Sequence, residues 1–291
     1  MLSGFTFNRI VIVQSLEPPE VATGRILSEF IAGHSYLANA NLPIKVINCG
    51  YAAEFLQIID QLAKEAGESN VPLLHVECHG DPQDGLEFEN GSSLQWEQVA
   101  SALLPLNVAS KFNLLAVFSA CFGAHFIGQM GVIEPAPCWC IVAPTETVDP
   151  GEVLASFRAF YGALFNSGDM GRAVRAIAGC SLSQGRWLSE PAEIWFQKLV
   201  TGYVKTHCNE PAARARAKVL HRQLKAQGQH KGIGSFLRIL RARNRESLLG
   251  EYFERYFITQ KIPENIQRFD NVRQRVKTEL ATLRSTGRYV I

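Results

Sequence analysis

Apolar positions in the first half of the chain switch between two periods. Short runs of strand length recur at residues 8–14, 42–48, 71–80, 113–123 and 138–143. Each is compact, rich in Val, Ile, Leu or Phe, and bounded by polar or turn-forming residues, as buried strands require. Between them the period lengthens to that of a helix. Pro18, Pro19 and Glu20 predict a helix start that carries on to about Gly33. A second helix is predicted over 52–66, with Phe55, Ile58, Ile59 and Leu62 on one face, and a third over 95–104. Strands alternating with helices predict an α/β fold whose mostly parallel sheet is covered by helices on both faces and joined by right-handed crossovers.

From Gly151 the pattern is helical: Val153, Leu154, Phe157, Phe160, Tyr161, Leu164 and Phe165 recur on one stripe, and a further helix is predicted over 171–182. No further β-rich run is evident beyond about Ser189. Helical stretches fill 192–204, 211–227, 233–245, 248–256 and 263–284. The expected organisation is an α/β domain over 1–188 and a helical region over 189–291.

Composition narrows the class. A chain of 291 residues, 47% hydrophobic and with a formal net charge of +2, has enough apolar content for a sizeable core. No run of about 18 apolar residues occurs, so no membrane span is expected. The first residues lack the basic start and apolar middle of a secretory signal, and a cytoplasmic protein is expected. The 7 cysteines form an odd set without the spacing of a disulfide framework, which fits a reducing compartment. Neither Gly-x-Ser-x-Gly nor a phosphate-binding Gly-x-x-x-x-Gly-Lys is present.

Candidate chemistry lies where two of the predicted strands end. The 71–80 run closes on His79-Gly80, and the 113–123 run closes on Ser119-Ala120-Cys121-Phe122-Gly123. In an open parallel sheet, reacting groups collect outside the carboxyl ends of the strands. An imidazole beside a thiol favours the thiolate, which is the nucleophile. A bare Gly80 leaves room for a substrate carbonyl, and the amides of Gly80 and Cys121 are candidate oxyanion donors.

At these residues the chain resembles the caspase-like cysteine peptidases, and within them the bacterial CHAT type, related to caspases and haemoglobinases. The caspase signature is Gln-Ala-Cys-x-Gly with its His about 50 residues upstream. Here Ser119 stands in the place of Gln, and 121 − 79 = 42. Residues 84–96 are similar to the short hairpin and helix start that follow His-Gly in CHAT domains. The resemblance covers residues 8 to about 182. It implies a cysteine endopeptidase in which His79 and Cys121 form the catalytic dyad, with no metal and no cofactor. It also implies regulated proteolysis of a protein or peptide substrate with a regulatory protein partner, in some relatives as antiviral (anti-phage) defence. In such peptidases the loop after the neighbouring strand helps to form the substrate pocket. Glu146 and Asp149 in the corresponding loop would favour Lys or Arg in the substrate.

Plainer readings stand beside these. Cys121 is also a small hydrophobe suited to the top of a strand. Asp149 is equally suited to cap the helix beginning near Gly151. His75, Glu77 and His79 alternate along one strand, a spacing that could contribute to a metal site with Cys121, Cys138 or Cys140. A mid-strand His75 is more often a satisfied interior histidine. His125, four residues after Cys121, is an alternative base on a helix that leads away from the strand tip.

Two other functions fit the same residues. One is a catalytically inactive caspase-like interaction module. The other is nucleic-acid binding through Arg214, Arg216, Lys218, Arg222, Lys225, Lys231, Arg238, Arg241, Arg243 and Arg245, a run without a single Asp or Glu. A solvated helix face is the plain alternative for that run.

Overall fold

The computed structural model describes residues 4–38, 41–131, 133–180, 186–228 and 232–291. The chain divides into two compact units, one made of residues 4–130 and 137–191 and the other of 131–136 and 192–291.

The first unit is an α/β layer structure. Its strands β1 (Arg9–Gln14), β2 (Ile44–Asn48), β3 (Pro72–Glu77), β7 (Leu115–Ser119), β8 (Cys140–Pro144) and β9 (Trp187–Pro191) form one sheet in the order β2-β1-β3-β7-β8-β9. The first five are mutually parallel and β9 runs antiparallel on the edge. Every residue of β3, β7 and β8 is buried, which is why these segments read as continuous apolar runs rather than as alternating ones.

The two faces are covered by different helices. On one, His75 packs against Phe157 and Tyr161 of α4 (Pro150–Ser167), and α4 packs on α1 (Thr23–Leu37) and α5 (Met170–Cys180). On the other, Phe118 meets Trp96 of α3 (Trp96–Ala109), which packs on α2 (Ala52–Glu65). A small antiparallel sheet follows β3: β4 (His79–Asp81), β5 (Gly85–Glu87) and β6 (Ser93–Leu94). Its turn needs Gly85 at φ +85, where an added Cβ would collide with the Leu94 carbonyl.

Two sequence expectations are corrected. The helix predicted from Pro18 begins only at Thr23, and residues 15–22 form a loop that carries Glu20 to the sheet edge. The missing cap is supplied from the neighbouring strand, since the Gln14 side chain accepts the Arg25 N–H at 3.2 Å. The second correction is β9, where no strand was expected. Its five residues pair along the whole of β8, so the α/β unit runs to 191 rather than 188. The last residues of the helix predicted over 171–182 lie outside the described residues.

The second unit is helical among the described residues: α6 (Ala192–His207), α7 (Glu210–Ala226), α8 (Ile233–Leu249), α9 (Glu251–Tyr256), α10 (Asn265–Arg268) and α11 (Asp270–Ser285). Phe196, Phe253, Tyr256, Phe257 and Phe269 form its aromatic centre. Residues 131–136 belong to it through the Ala136 N–H, which donates to the Tyr256 carbonyl. No helix among the described residues is long and apolar enough to cross a membrane.

Candidate active site

The strand order reverses between β1 and β3, because the chain leaves β1 toward β2 on one side and returns to β3 on the other. Such a switch point opens a crevice outside the carboxyl ends of the strands. Here that crevice is a cavity of about 130 Å³ lined by Glu20 and Thr23 after β1, His79 after β3, Cys121 after β7, and Val148 and Pro150 after β8, with Glu77 and Ser119 at its base.

The register accounts for the meeting of His79 and Cys121. Adjacent β3 and β7 pair Glu77 with Ser119, an offset of 42 residues that His79 and Cys121 share. Two residues beyond the paired ends, both side chains open onto the same space. His79 is 53% exposed, and its Nε2 lies 2.9 Å from Glu20 Oε1. Cys121 is half-buried, its Sγ 3.8 Å from the Val148 carbonyl. The described residues therefore place imidazole and thiol on one cavity without a direct hydrogen bond between them.

Both glycines of the motifs have packing reasons. A Cβ at Gly80 would collide with the Cys121 carbonyl, and one at Gly123 would come within 3.0 Å of the Phe118 Cβ and 3.1 Å of the Ala143 Cβ. The space left bare at Gly80 is thus filled by the Cys121 backbone, which corrects the expectation that it is kept open for a substrate carbonyl. Gly80 is paired opposite Leu86 in the small sheet and is not among the residues lining the cavity. At Cys121 the backbone does offer a donor, because its N–H has no acceptor among the described residues. Phe122 follows at φ +58, a left-handed conformation that costs an aromatic residue about 1–2 kcal/mol. The turn begins the 3₁₀ helix Gly123–Gln129.

Beneath the cavity lies a buried polar chain. Glu77 accepts from the Thr23 hydroxyl at 2.6 Å and from the Ser119 hydroxyl at 2.8 Å, and its other oxygen lies 2.8 Å from His75 Nε2. The second ring nitrogen of His75 is 2.9 Å from the Tyr161 hydroxyl. Burial and the Glu77 carboxylate push the Tyr161 phenol well above its ordinary pKa. Ser119, standing where the caspase signature has Gln, is thus a hydrogen-bond donor to a buried carboxylate. His75 is a satisfied interior histidine, and His79, past the bend at Cys78, turns outward instead of joining it. Among the described residues no three His, Cys, Asp or Glu side chains converge as metal ligands would.

The loop after β8 behaves differently from the expectation for Glu146 and Asp149. Neither carboxylate lines the cavity. Asp149 caps α4 by accepting the Glu152 N–H at 2.9 Å, and Glu146 pairs with Arg186 at 2.8 Å, which also holds Glu152 at 2.9 Å. The physical reason is local, since both carboxylates have nearer partners than the cavity offers. His125 is exposed on the 3₁₀ helix, edge-on to the Phe122 ring and outside the cavity lining. Cys78 is buried and its thiol pKa is pushed well up by that burial.

Glu20 is the residue that sequence reasoning missed as chemistry. It lines both this cavity and an adjoining cleft of about 480 Å³, shared with His79 and walled by Glu17, Glu87 and Glu89. The only signal was its position in a Pro-Pro-Glu segment after the first strand, which reads more readily as a helix start. The chain matches no protein-family model and no curated relative.

Proposed function

We propose that the α/β unit is a cysteine endopeptidase of caspase-like, CHAT-type architecture, working through Cys121 and His79. The observation that carries the reading is the meeting of these two side chains on one cavity, at the ends of adjacent parallel strands beside the switch point of the sheet. In this mechanism the Cys121 Sγ, its proton passed to His79, attacks a peptide carbonyl carbon, and the Cys121 N–H faces the oxyanion. His79 then gives its proton to the leaving amine. Water, deprotonated by His79, hydrolyses the thioester and restores the thiol. Glu20 acts as the orienting carboxylate of the imidazole, a third member that completes a base and orienter pair.

The carboxylates around His79, namely Glu20 with Glu17, Glu87 and Glu89 in the adjoining cleft, favour a substrate segment carrying Lys or Arg. They take over the part that Glu146 and Asp149 had been expected to play. Regulated proteolysis under the control of a protein partner, including in defence, belongs to the same proposal and rests on the resemblance alone.

One observation favours a second reading, an inactive interaction module of the same fold: His79 is bonded to Glu20 and not to the thiol. A peptide-library cleavage assay on wild type, Cys121→Ala, His79→Ala and Glu20→Gln separates the two. The peptidase reading expects cleavage beside Lys or Arg in wild type, loss in the first two variants, and a smaller loss in Glu20→Gln. Cleavage that persists in Cys121→Ala, or none by wild type together with no labelling of Cys121 by thiol-reactive peptides, would leave the module.

A further inference from the structure

We infer that one face of the α7–α8 pair binds the phosphate backbone of a nucleic acid, an activity independent of the peptidase reading. The ten cations singled out in the sequence separate once the helices are in place. Arg214 is paired with Glu210 at 2.7 Å, Arg216 donates to the His207 carbonyl at 2.6 Å, and Arg243 lines a different groove, with Glu246 and Glu254. Lys231 lies outside the described residues. Six remain: Lys218, Arg222 and Lys225 on α7, and Arg238, Arg241 and Arg245 on α8. All six are exposed, and none has a carboxylate partner among the described residues.

Helical geometry brings the six together. At about 100° per residue, Lys218, Arg222 and Lys225 fall within an arc of about 60°, and so do Arg238, Arg241 and Arg245. Each stripe lies about 120° round its helix, in the same rotational sense, from the buried edge, which is Ala213 and Ala217 on α7 and Phe236, Asn244, Ser247 and Leu248 on α8. The helices are joined by residues 227–232 and pack on one another as an antiparallel pair, with the His221 and Phe236 rings 6.0 Å apart. Antiparallel packing reverses the sense of rotation in space, so both stripes come to the same side. The resulting patch is about 20 Å long, from the level of Lys225 to that of Arg245.

The chemistry of the patch selects the occupant. Over about 20 Å a duplex presents about twelve phosphates, at one charge per 1.7 Å of axis. Four of the six cations are arginines, which grip phosphate oxygens in pairs. An anionic membrane surface fits less well, because a surface-bound helix must bury a large apolar side. In this pair Phe236 and Leu248 are buried within the unit, and the exposed Val219, Ile233 and Ile239 lie about 90–130° round their helices from the centres of the cation stripes, as separate side chains and not as one large apolar side.

The test uses the full chain and fluorescence anisotropy with labelled probes about 20 nucleotides long, one a DNA duplex and one a single-stranded RNA, over a salt series. Phosphatidylserine-rich vesicles form a parallel arm. Wild type is expected to bind at least one nucleic-acid probe, with a log–log salt slope of about −4 for the single strand or about −5.5 for the duplex if all six cations engage. Lys218→Glu/Arg222→Glu/Arg241→Glu/Arg245→Glu is expected to lose about 100-fold or more in affinity at low salt, with a correspondingly shallower slope. Arg243→Glu, a single charge reversal on the opposite side of α8, should stay within about threefold of wild type. Circular dichroism confirms that both variants keep their helices. The two probes distinguish duplex from single strand. No binding at low salt, equal loss in Arg243→Glu and the quadruple variant, or binding to vesicles alone would overturn the inference.

Discussion

Glu77 and His79 are two residues apart on one chain segment, yet removing their side chains should have very different consequences. Glu77 is buried and holds three donors, the Thr23 hydroxyl at 2.6 Å, the Ser119 hydroxyl at 2.8 Å and His75 Nε2 at 2.8 Å. Glu77→Ala leaves all three in an apolar interior, where each unpaired donor costs about 1–3 kcal/mol. Two of them are hydroxyls that can turn toward other acceptors, so the total should be about 3–5 kcal/mol, including the small cavity left behind. That is a large share of the 5–15 kcal/mol that typically holds a domain together. Glu77→Gln keeps the shape and one acceptor, and should cost about 1–2 kcal/mol. His79→Ala, at 53% exposure, should stay within about 0.5 kcal/mol of wild type. Urea unfolding followed by far-UV circular dichroism, with equal m-values across the set, gives the three differences directly. The reasoning fails if Glu77→Ala costs less than about 1 kcal/mol or no more than His79→Ala.

Other consequences are as direct. Gly80→Ala drives a methyl group into the Cys121 carbonyl and should destabilise by about 1–3 kcal/mol, whereas Gly128→Ala, with nothing within 4 Å, should be near neutral; equal unfolding midpoints would refute the close approach. Brief iodoacetamide treatment of the folded protein, read by peptide mass spectrometry, should modify exposed Cys180 and half-buried Cys121 first. Burial raises the thiol pKa of Cys49 to about 11 and pushes up those of Cys78, Cys138 and Cys208, so labelling of Cys138 at the rate of Cys121 would contradict the structure. Asp81 accepts the Asp84 and Gln83 N–H groups, and these bonds hold its carboxyl below the usual 3.8. A depressed folded pKa means that this contribution is present above the unfolded value and lost as pH falls through the folded one. Asp81→Asn should therefore lower the unfolding midpoint at neutral pH and converge on wild type near about pH 2. A gap that stays constant with pH would argue against the turn.

Much of the α/β unit was legible because its information is local. Runs such as 113–123 have the composition of strands buried on both faces, and turn residues bracket them, so the alternation of strand and helix could be read without knowing any neighbour. The candidate pair could be picked out for the same reason, since His79-Gly80 and Cys121-Phe122-Gly123 each end such a run. Strand β9 could not be read this way. Trp187–Pro191 carries a Glu and ends in Pro, and it is a strand because β8 offers it a free edge.

What tertiary structure alone decided is which side chains spend their polarity on one another. Glu146 and Asp149 are near Cys121 in sequence logic, but Arg186 and the start of α4 claim them. Glu20 looks like the opening of a helix, but α1 starts at Thr23 and the preceding loop brings the carboxylate to His79. The ten cations of the C-terminal region are one undivided run in the sequence, and only helix packing sorts the nine described ones into those held by a partner, one in a separate groove and six along one exposed face. A residue's propensity is a property of its neighbours along the chain. Its partner is set by whichever group folding brings within about 3 Å: His79, 59 residues along the chain, for Glu20, and for Glu77 both Thr23 and Ser119, 54 and 42 residues away, as well as nearby His75.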